Sequence, residues 1–375
     1  MKILILSPEY PPIYGGIGNH VQNLCKKYVE NGHEVTILTR AEVKNKKKIK
    51  FIRLKHFRLP LMSSRFFGIK AFKYLRNNFQ KFEIVHLMHP MVFFSKQQYE
   101  FLKEKNLQIV STFHGTVKSE MNAIKKYNSY KSLIDYGILI FGKIVMRYEQ
   151  IALDYSNKLI TVSKHNKIDI LKNYKCKREI KIIYNGIDPY KTFKKVKNDN
   201  HILLFVGRFV GRKNIFLLPH IAKYLSKDKL IKFEFVLVGK GPLMKTFIKY
   251  INDMGIQKYF RIFSNLSDIQ LEKIFLKAKL FVFPTNYEAQ GIVLLEAIRS
   301  RTPCIVSKVG GIPEMIKHKK NGLLINKITA KNFAIEISKL LKDKKKYSLM
   351  SKNCRVEKKF QWDFIAKETL MYYQK

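Results

Sequence analysis

Short apolar runs alternate with stretches of helical period along most of this 375-residue chain. The first run, KILIL over residues 2–6, is followed at once by Ser7 and Pro8 and predicts a strand buried on both faces. After a turn, Val21, Leu24 and Tyr28 recur at three- and four-residue spacing and the pattern stops at Gly32, which predicts an amphipathic helix. HEVTILTR (33–40), FEIVHLM (82–88) and QIVSTFHG (108–115) read as further strands. A second series starts at His201. HILLFVGRF (201–209), FEFVLVGKG (233–241), KLFVFPT (279–285) and TPCIVSKVGG (302–311) are its strands, and KNIFLLPHIAKYL (213–225) is a helix. Strands that alternate with helices predict a parallel, doubly wound α/β sheet, and two series predict two Rossmann-like domains. The boundaries fall at 1–190 and 201–355, with the polar stretch KTFKKVKNDN (191–200) as linker and 356–375 as a terminal helical segment. In such sheets ligands bind beyond the carboxyl ends of the strands, and these ends point the two sheets at a shared cleft.

Composition agrees with a globular protein, at 46% hydrophobic and 27% charged residues. Cys25, Cys176, Cys304 and Cys354 lie far apart with no CxxC spacing, so neither a zinc site nor a disulfide framework is expected and a reducing cytoplasm suits them. The start MKILILSPEYPP has too short an apolar run for a signal peptide. The longest apolar stretch, YGILIFGKIVM (136–146), is interrupted by Lys143 and is shorter than the roughly 20 residues of a membrane span. Net charge changes the picture, because 72 Lys+Arg face 28 Asp+Glu, a formal +44. Such an excess points to an anionic partner: nucleic acid, anionic lipid or a phosphorylated substrate. It is also what an AT-rich coding composition produces.

Against that scarcity of acids, NYEAQGIVLLEA (286–297) holds two, Glu288 and Glu296. A helix starting near Gly291 puts Glu288 just before its positive end, which favours the ionised form. Glu288 is then a poor general acid and a strong acceptor for sugar hydroxyls. Glu296 lies in an apolar run and must find donors, since an unpaired buried carboxylate is costly; ribose hydroxyls would supply them. A glycosidase carboxylate pair is the rival reading, and it leaves Arg208 and Lys213 in VGRFVGRKN unexplained. Those two cations, immediately after a strand, suit a diphosphate or form a solvated basic loop. PPIYGGIGNH sets Gly15 and Gly16 between strand and helix, either as an anion cradle or as a turn needing positive φ. Its spacing is not that of a dinucleotide fingerprint. His114 ends a buried strand and either meets a substrate hydroxyl or is structural.

Together these segments resemble the family 4 retaining glycosyltransferases of GT-B fold. The resemblance rests on YEAQGIVLLEAIRSRTPCIVSKVGGIPEMIKHKKNGLLI, VGRFVGRKN, GGIGNHV, the HG pair, YNGID and FQWDFIAKETLMYY, in order along nearly the whole chain. It implies a nucleotide-sugar donor, UDP- or GDP-linked, held mainly by the second domain. Arg208 and Lys213 would neutralise the departing diphosphate. Glu288 would bind donor-sugar hydroxyls, with backbone N–H groups near Gln290 and Gly291. Glu296 would hold the ribose, and Leu266 and Ile292 would complete the nucleotide site. His114 would sit near the reacting carbon, and Gly15 and Gly16 would admit the diphosphate. The helix around Trp362 would cross back to the first domain. Neither a cofactor nor a metal is expected, because the cations replace it electrostatically. The family often has Glu-Gly-Phe-Gly where this chain has Glu288-Ala289-Gln290-Gly291, so an amide at Gln290 is expected near the sugar. Arg301 and Ser264 also stand where the family has Gly.

The segment 43–82 interleaves cations with Phe and Leu. It predicts peripheral contact with the inner face of an anionic membrane, with Phe66, Phe67, Phe72 and Phe79 inserted and Arg65, Lys70, Lys73 and Arg76 at lipid phosphates. A basic solvated face with core aromatics is the alternative. A glycan or lipid-linked acceptor is expected on the first domain. The remaining function classes are a nucleotide-sugar epimerase, for which no acid/base pair is identifiable, and a basic nucleic-acid-binding protein. No nucleic-acid motif accompanies the charge, so no nucleic acid is expected.

Overall fold

A computed structural model describes residues 1–11, 15–46, 48–55, 63–126, 131–190 and 201–374. The expected 191–200 linker and parts of the 43–82 segment lie outside these residues. The chain divides into two compact units: Met1–Met121, Gly137–Gly186 and Lys358–Lys375 form one, and Asn122–Tyr136 with Ile187–Glu357 the other.

In the first unit the strands are β1 (Lys2–Leu6), β2 (Glu34–Thr39), β3 (Ile49–Arg53), β4 (Ile84–His89), β5 (Gln108–Phe113), β6 (Lys158–Thr161) and β7 (Lys181–Ile182). They make one sheet in the order β3-β2-β1-β4-β5-β6-β7, and every ladder is parallel. Helices α1 (Gly16–Glu30), α2 (Ser63–Arg76), α3 (Lys96–Glu104), α4 (Val117–Lys126), α5 (Leu133–Tyr155) and α6 (Lys164–Asn173) connect them. The second unit carries β8 (His201–Val206), β9 (Phe233–Val238), β10 (Phe260–Phe263), β11 (Leu280–Phe283), β12 (Cys304–Ser307) and β13 (Gly322–Ile325), ordered β10-β9-β8-β11-β12-β13 and parallel throughout. Its helices are α7 (Leu217–Leu225), α8 (Met244–Asp253), α9 (Asp268–Lys277), α10 (Ile292–Arg299), α11 (Ile312–Met315), α12 (Ala330–Lys342) and α13 (Lys344–Lys352), and α14 (Trp362–Gln374) closes the chain. The expected α/β class with two parallel sheets is therefore what forms. A crossover connection is needed between parallel neighbours, and the alternation of runs supplies one each time.

Local chemistry explains the element ends. Ser95 and Ser267 each cap a helix by a reciprocal bond with Gln98 and Gln270. In β1 Ile3 to Leu6 are all buried, as a strand covered on both faces requires. The final helix packs on α1. Gly186 makes room for it: a Cβ there would lie 2.6 Å from Ile365 Cδ1 and 2.9 Å from Trp362 Cδ2. A buried polar chain fixes the contact, with Tyr373 OH 2.9 Å from Tyr28 OH and 2.6 Å from His86 Nδ1.

Two expectations are corrected. The helix expected from Lys213 begins only at Leu217, because Gly211–Lys213 forms a 3-10 turn and Asn214 follows in the left-handed region (φ 52). Of the aromatics of 63–82 expected at a membrane, Phe67 is buried in the core, and Phe66, Phe72 and Phe79 are only partly exposed. Helical period puts Phe67, Ala71 and Leu75 on the buried face of α2, and Phe72 and Phe79 stand edge-on to Phe101 at 5.4 and 6.3 Å. Phe66 is half-buried, and Lys70, Lys73 and Arg76 are exposed. Arg65 is held by Gln98 Oε1 at 2.6 Å. Arg301, in place of a glycine, keeps a left-handed backbone (φ 49), so the substitution leaves the turn intact. Among the described residues no helix is long and apolar enough to cross a membrane.

Tyr373→Phe removes one hydroxyl and leaves His86 Nδ1 and Tyr28 OH short of a buried partner. Denaturant unfolding of the variant should show a loss of about 1–3 kcal/mol; an unchanged midpoint would mean the chain of hydroxyls contributes nothing.

Candidate active site

The order of the second sheet reverses between β8 and β11, which are neighbours although far apart in sequence. Crevices of this kind are where open α/β sheets bind ligands. The residues that follow these two strands carry the most unusual chemistry in the unit. The turn after β8 presents Arg208, exposed, and then Arg212 and Lys213. The turn after β11 presents Glu288. Lys213 Nζ and Glu288 Oε2 form a direct ion pair, with side chains only 9% and 14% exposed. Lys213 also lies 4.6 Å from the centre of the Phe283 ring. The Arg212 carbonyl knits the turns together, accepting from Asn286 N–H at 2.8 Å and from the Thr285 hydroxyl at 3.0 Å.

Glu288 is held by its backbone as well. Its carbonyl accepts the Gly311 N–H at 3.0 Å. A Cβ on Gly310, which has φ +56, would lie 1.9 Å from that same oxygen. Gly310 thus serves two needs at once, a left-handed conformation and a backbone in contact with the Glu288 peptide. Burial pushes the Glu288 carboxyl up, but the charges of Lys213 and Arg212 outweigh it and hold the group below its ordinary value. The ionised state expected from the sequence is found, with a different cause: neighbouring cations and not the helix end. Lys213, expected with Arg208 to neutralise a departing diphosphate, is paired with Glu288. Arg212 was not singled out from the sequence.

Helix α10 begins one residue after Gly291, whose φ of 90 turns the chain into it. Leu294 N–H in its first turn bonds the Gly291 carbonyl at 3.0 Å, and the N–H groups of Ile292 and Val293 precede any intrahelical acceptor. Ile292 is partly exposed there. Gln290 is 1% exposed, and its Nε2 lies 3.9 Å from Met315 Sδ. The amide expected near the sugar is therefore buried against Met315. Further along α10, burial raises the Glu296 carboxyl to about 7, with Arg299 opposing and Asp268 at the start of α9 adding to the rise. Leu266 lies two residues before Asp268 in the turn after β10, half-buried.

The remaining expected residues belong to the first unit. Gly15 caps α1 with φ −171, an extended conformation open to any residue, so positive φ is not why it is glycine. Space is the reason: a Cβ would lie 2.1 Å from Glu9 Oε2. Gly16 starts α1. Glu9 was not anticipated; its carboxylate sits beside the helix end that the family resemblance reserves for a diphosphate. His114 follows β5, donates its N–H to the His89 carbonyl at 3.1 Å, and has a buried Nε2 without a protein hydrogen bond. Burial, with His20, His86 and His89 nearby, keeps its imidazole neutral, well below the usual histidine range. His20 packs edge-on to it at 4.8 Å and to Trp362 at 5.4 Å. His20 was legible in principle, since it stands on the apolar face of α1 one residue before Val21.

Comparison with known proteins settles the family. The description "Glycosyl transferases group 1" matches residues 188–357, and "Glycosyltransferase Family 4" matches residues 14–191. The chain belongs to the family 4, group 1 glycosyltransferases. An uncharacterized glycosyltransferase of Methanocaldococcus jannaschii is 27% identical, over 100% of this chain and 98% of its own. The UDP-Gal:alpha-D-GlcNAc-diphosphoundecaprenol alpha-1,3-galactosyltransferase of Escherichia coli is 29% identical over 57% of this chain and 58% of its own. Among solved structures, sucrose-phosphate synthase from Thermosynechococcus elongatus matches with a TM-score of 0.80 at 20% identity, covering 100% of this chain and 98% of that one. The fold is that of the GT-B glycosyltransferases. Among the described residues no group of three or more His, Cys, Asp or Glu could hold a metal ion.

Gly310→Ala must move the Glu288 peptide or abandon its φ. The variant of this group 1 glycosyltransferase should lose about 2–4 kcal/mol of stability and its Lys213–Glu288 pairing. Calorimetric unfolding and a crystal structure of the variant test this, and an unshifted transition with an intact pair would refute it.

Proposed function

We propose that the chain is a retaining hexosyltransferase that moves a sugar from a UDP- or GDP-linked donor to a glycan or lipid-linked acceptor. The carrying observation is the buried Lys213–Glu288 pair across the β8/β11 reversal. The Glu288 carboxylate, held ionised by Lys213, suits the hydroxyl-rich end of a sugar diphosphate, and the arginines of the β8 turn suit its anionic end. The E. coli relative, whose name gives a UDP-sugar donor and a diphospholipid-linked acceptor, supports the same assignment.

In this reading Glu288 Oε1 accepts donor-sugar hydroxyls while Lys213 holds Oε2, so the carboxylate keeps one orientation and stays ionised. The open N–H groups at the start of α10 face the diphosphate side. Arg208 and Arg212 offset the charge that grows on the leaving diphosphate as its bond to the anomeric carbon breaks. The acceptor oxygen attacks that carbon on the same face, and its proton passes to the departing phosphate oxygen. His114, neutral, positions a sugar hydroxyl by its free Nε2 without adding charge. No metal or cofactor is required, since fixed cations fill the role. The acceptor lies on the first unit, and the cationic surface suits the inner face of an anionic membrane.

A panel of UDP-glucose, UDP-galactose, UDP-N-acetylglucosamine and GDP-mannose, scored by release of nucleoside diphosphate, names the donor. No release from any donor, with lipid-linked or soluble acceptors present, would overturn the reading. With the accepted donor, Glu288→Gln should lower transfer roughly a hundredfold, and full retention would contradict the role given to Glu288. NMR of the product linkage checks retention.

Glu296 supplies a pH signature. With its carboxyl near 7 in the empty site, it is largely protonated at pH 6 and ionised at pH 8. Ribose hydroxyls donating to it favour the ionised form, so nucleotide binding releases a proton and tightens as pH rises. Calorimetric titration should show affinity rising about tenfold from pH 6 to 8, relative to Glu296→Gln. Parallel pH profiles for the two proteins would exclude contact between Glu296 and the ribose.

A further inference from the structure

Helix α5 (Leu133–Tyr155) breaks the rule that a surface helix keeps one polar face. Its inner stripe is Ile138, Gly142, Val145 and Glu149, all buried and spaced three or four apart. Gly142 lets α4 approach, since a Cβ there would lie 2.3 Å from Met121 Sδ. The opposite side is also apolar and is open to solvent: Ile140 is 70%, Phe141 46% and Ile144 45% exposed. Along the same helix the stripe runs on to Tyr136 and Leu133, the latter 90% exposed. No other helix among the described residues exposes so many large apolar side chains in so short a span. Unpartnered apolar surface of this size marks an interaction site.

Charge decides the occupant. Lys143 and Arg147 are exposed on this side, and Asp135, the one acid between 133 and 147, is buried and bonded to Ser132. A second copy of the chain would set the same cations against each other with no acid to pair them. An anionic lipid surface fits both features, with the apolar side chains at the acyl boundary and the cations at headgroup phosphates. We propose that the exposed face of α5 around Ile140, Phe141 and Ile144 is where this protein docks on an anionic bilayer. This rests on the reading of an enzyme at a membrane and moves the inserting element from the 63–82 aromatics, of which Phe67 is buried and Phe72 and Phe79 pack against the core, to α5.

The test uses the full chain and vesicles of phosphatidylcholine with or without an equal part of phosphatidylglycerol, without donor or acceptor. The protein should sediment with the anionic vesicles. Ile140→Asp/Phe141→Ser/Ile144→Asp should lower the partition about tenfold or more, and Lys143→Glu/Arg147→Glu should lower it while removing much of its salt dependence. Phe141→Trp gives a second readout that does not depend on a disruptive change. The chain's single tryptophan, Trp362, is buried, so a vesicle-induced blue shift in the variant reports insertion at 141. Binding by the wild type with no blue shift and an unaffected triple variant would overturn the assignment to α5 alone. Absence of wild-type binding would overturn the membrane reading with it, leaving sugar transfer to be judged by the donor panel. Concentration-dependent dimerisation abolished by the triple variant would show a second copy on this face and overturn the proposal.

Discussion

The second unit's site depends on one buried ion pair. A carboxylate and an ammonium both largely removed from water would each cost several kcal/mol if left alone. Lys213 and Glu288 avoid this only by meeting, and they come from turns 75 residues apart in sequence. Everything local serves that meeting. The sheet order brings the ends of β8 and β11 side by side, the Arg212 carbonyl ties the turns, and the missing side chain at Gly310 admits the Glu288 peptide. Such a pair contributes little net stability compared with apolar residues of the same volume. Its value is geometric: it fixes a carboxylate in one orientation, ionised, at the crevice of the sheet, and surrounds it with positive charge.

The same dependence shows why part of the site could be read from the sequence and part could not. Two acids near one helix start stand out in a chain so poor in acids, and cations directly after a strand stand out in position. Their mutual contact is invisible in one dimension, because it follows from strand order. Taken alone, each turn gives Lys213 to a diphosphate and Glu288 to the helix end, and the pairing of the two appears only in three dimensions. Gln290 differs again. Sequence places it between Glu288 and Glu296, and only the structure shows its amide buried against Met315.

The fold divides along similar lines. β1, β4, β5, β8, β9, β11 and β12 are central strands covered on both faces, and their continuous apolar runs announce them. β3, β7, β10 and β13 lie at or near sheet edges and are short or partly exposed, so their runs are broken by charges, as in IKFIR (49–53) and FRIF (260–263). β6, KLIT, is interior yet only four residues long. The basic aromatic segment 63–82 is ambiguous in sequence for a related reason. An amphipathic helix with cations outside and Phe inside has one composition whether the apolar side meets a bilayer or its own sheet. Only the core cluster that Phe67, Ala71 and Leu75 join, with Phe94 of the loop after β4 and Leu102 of α3, shows which holds for this face of α2.

That distinction also sharpens what the net charge means. Cations spread over the whole surface are uninformative, since coding composition alone yields them. Cations bordering an exposed apolar stripe are different, because leaving that stripe in water is unfavourable and none of the described residues buries it. On α2 the apolar side is already satisfied by the sheet, so its lysines need no partner beyond water. On α5 both sides are apolar and one is satisfied, which leaves a surplus that the fold does not use. An anionic surface is favoured by where cations border unburied apolar area, as on α5, and not by the number of charges.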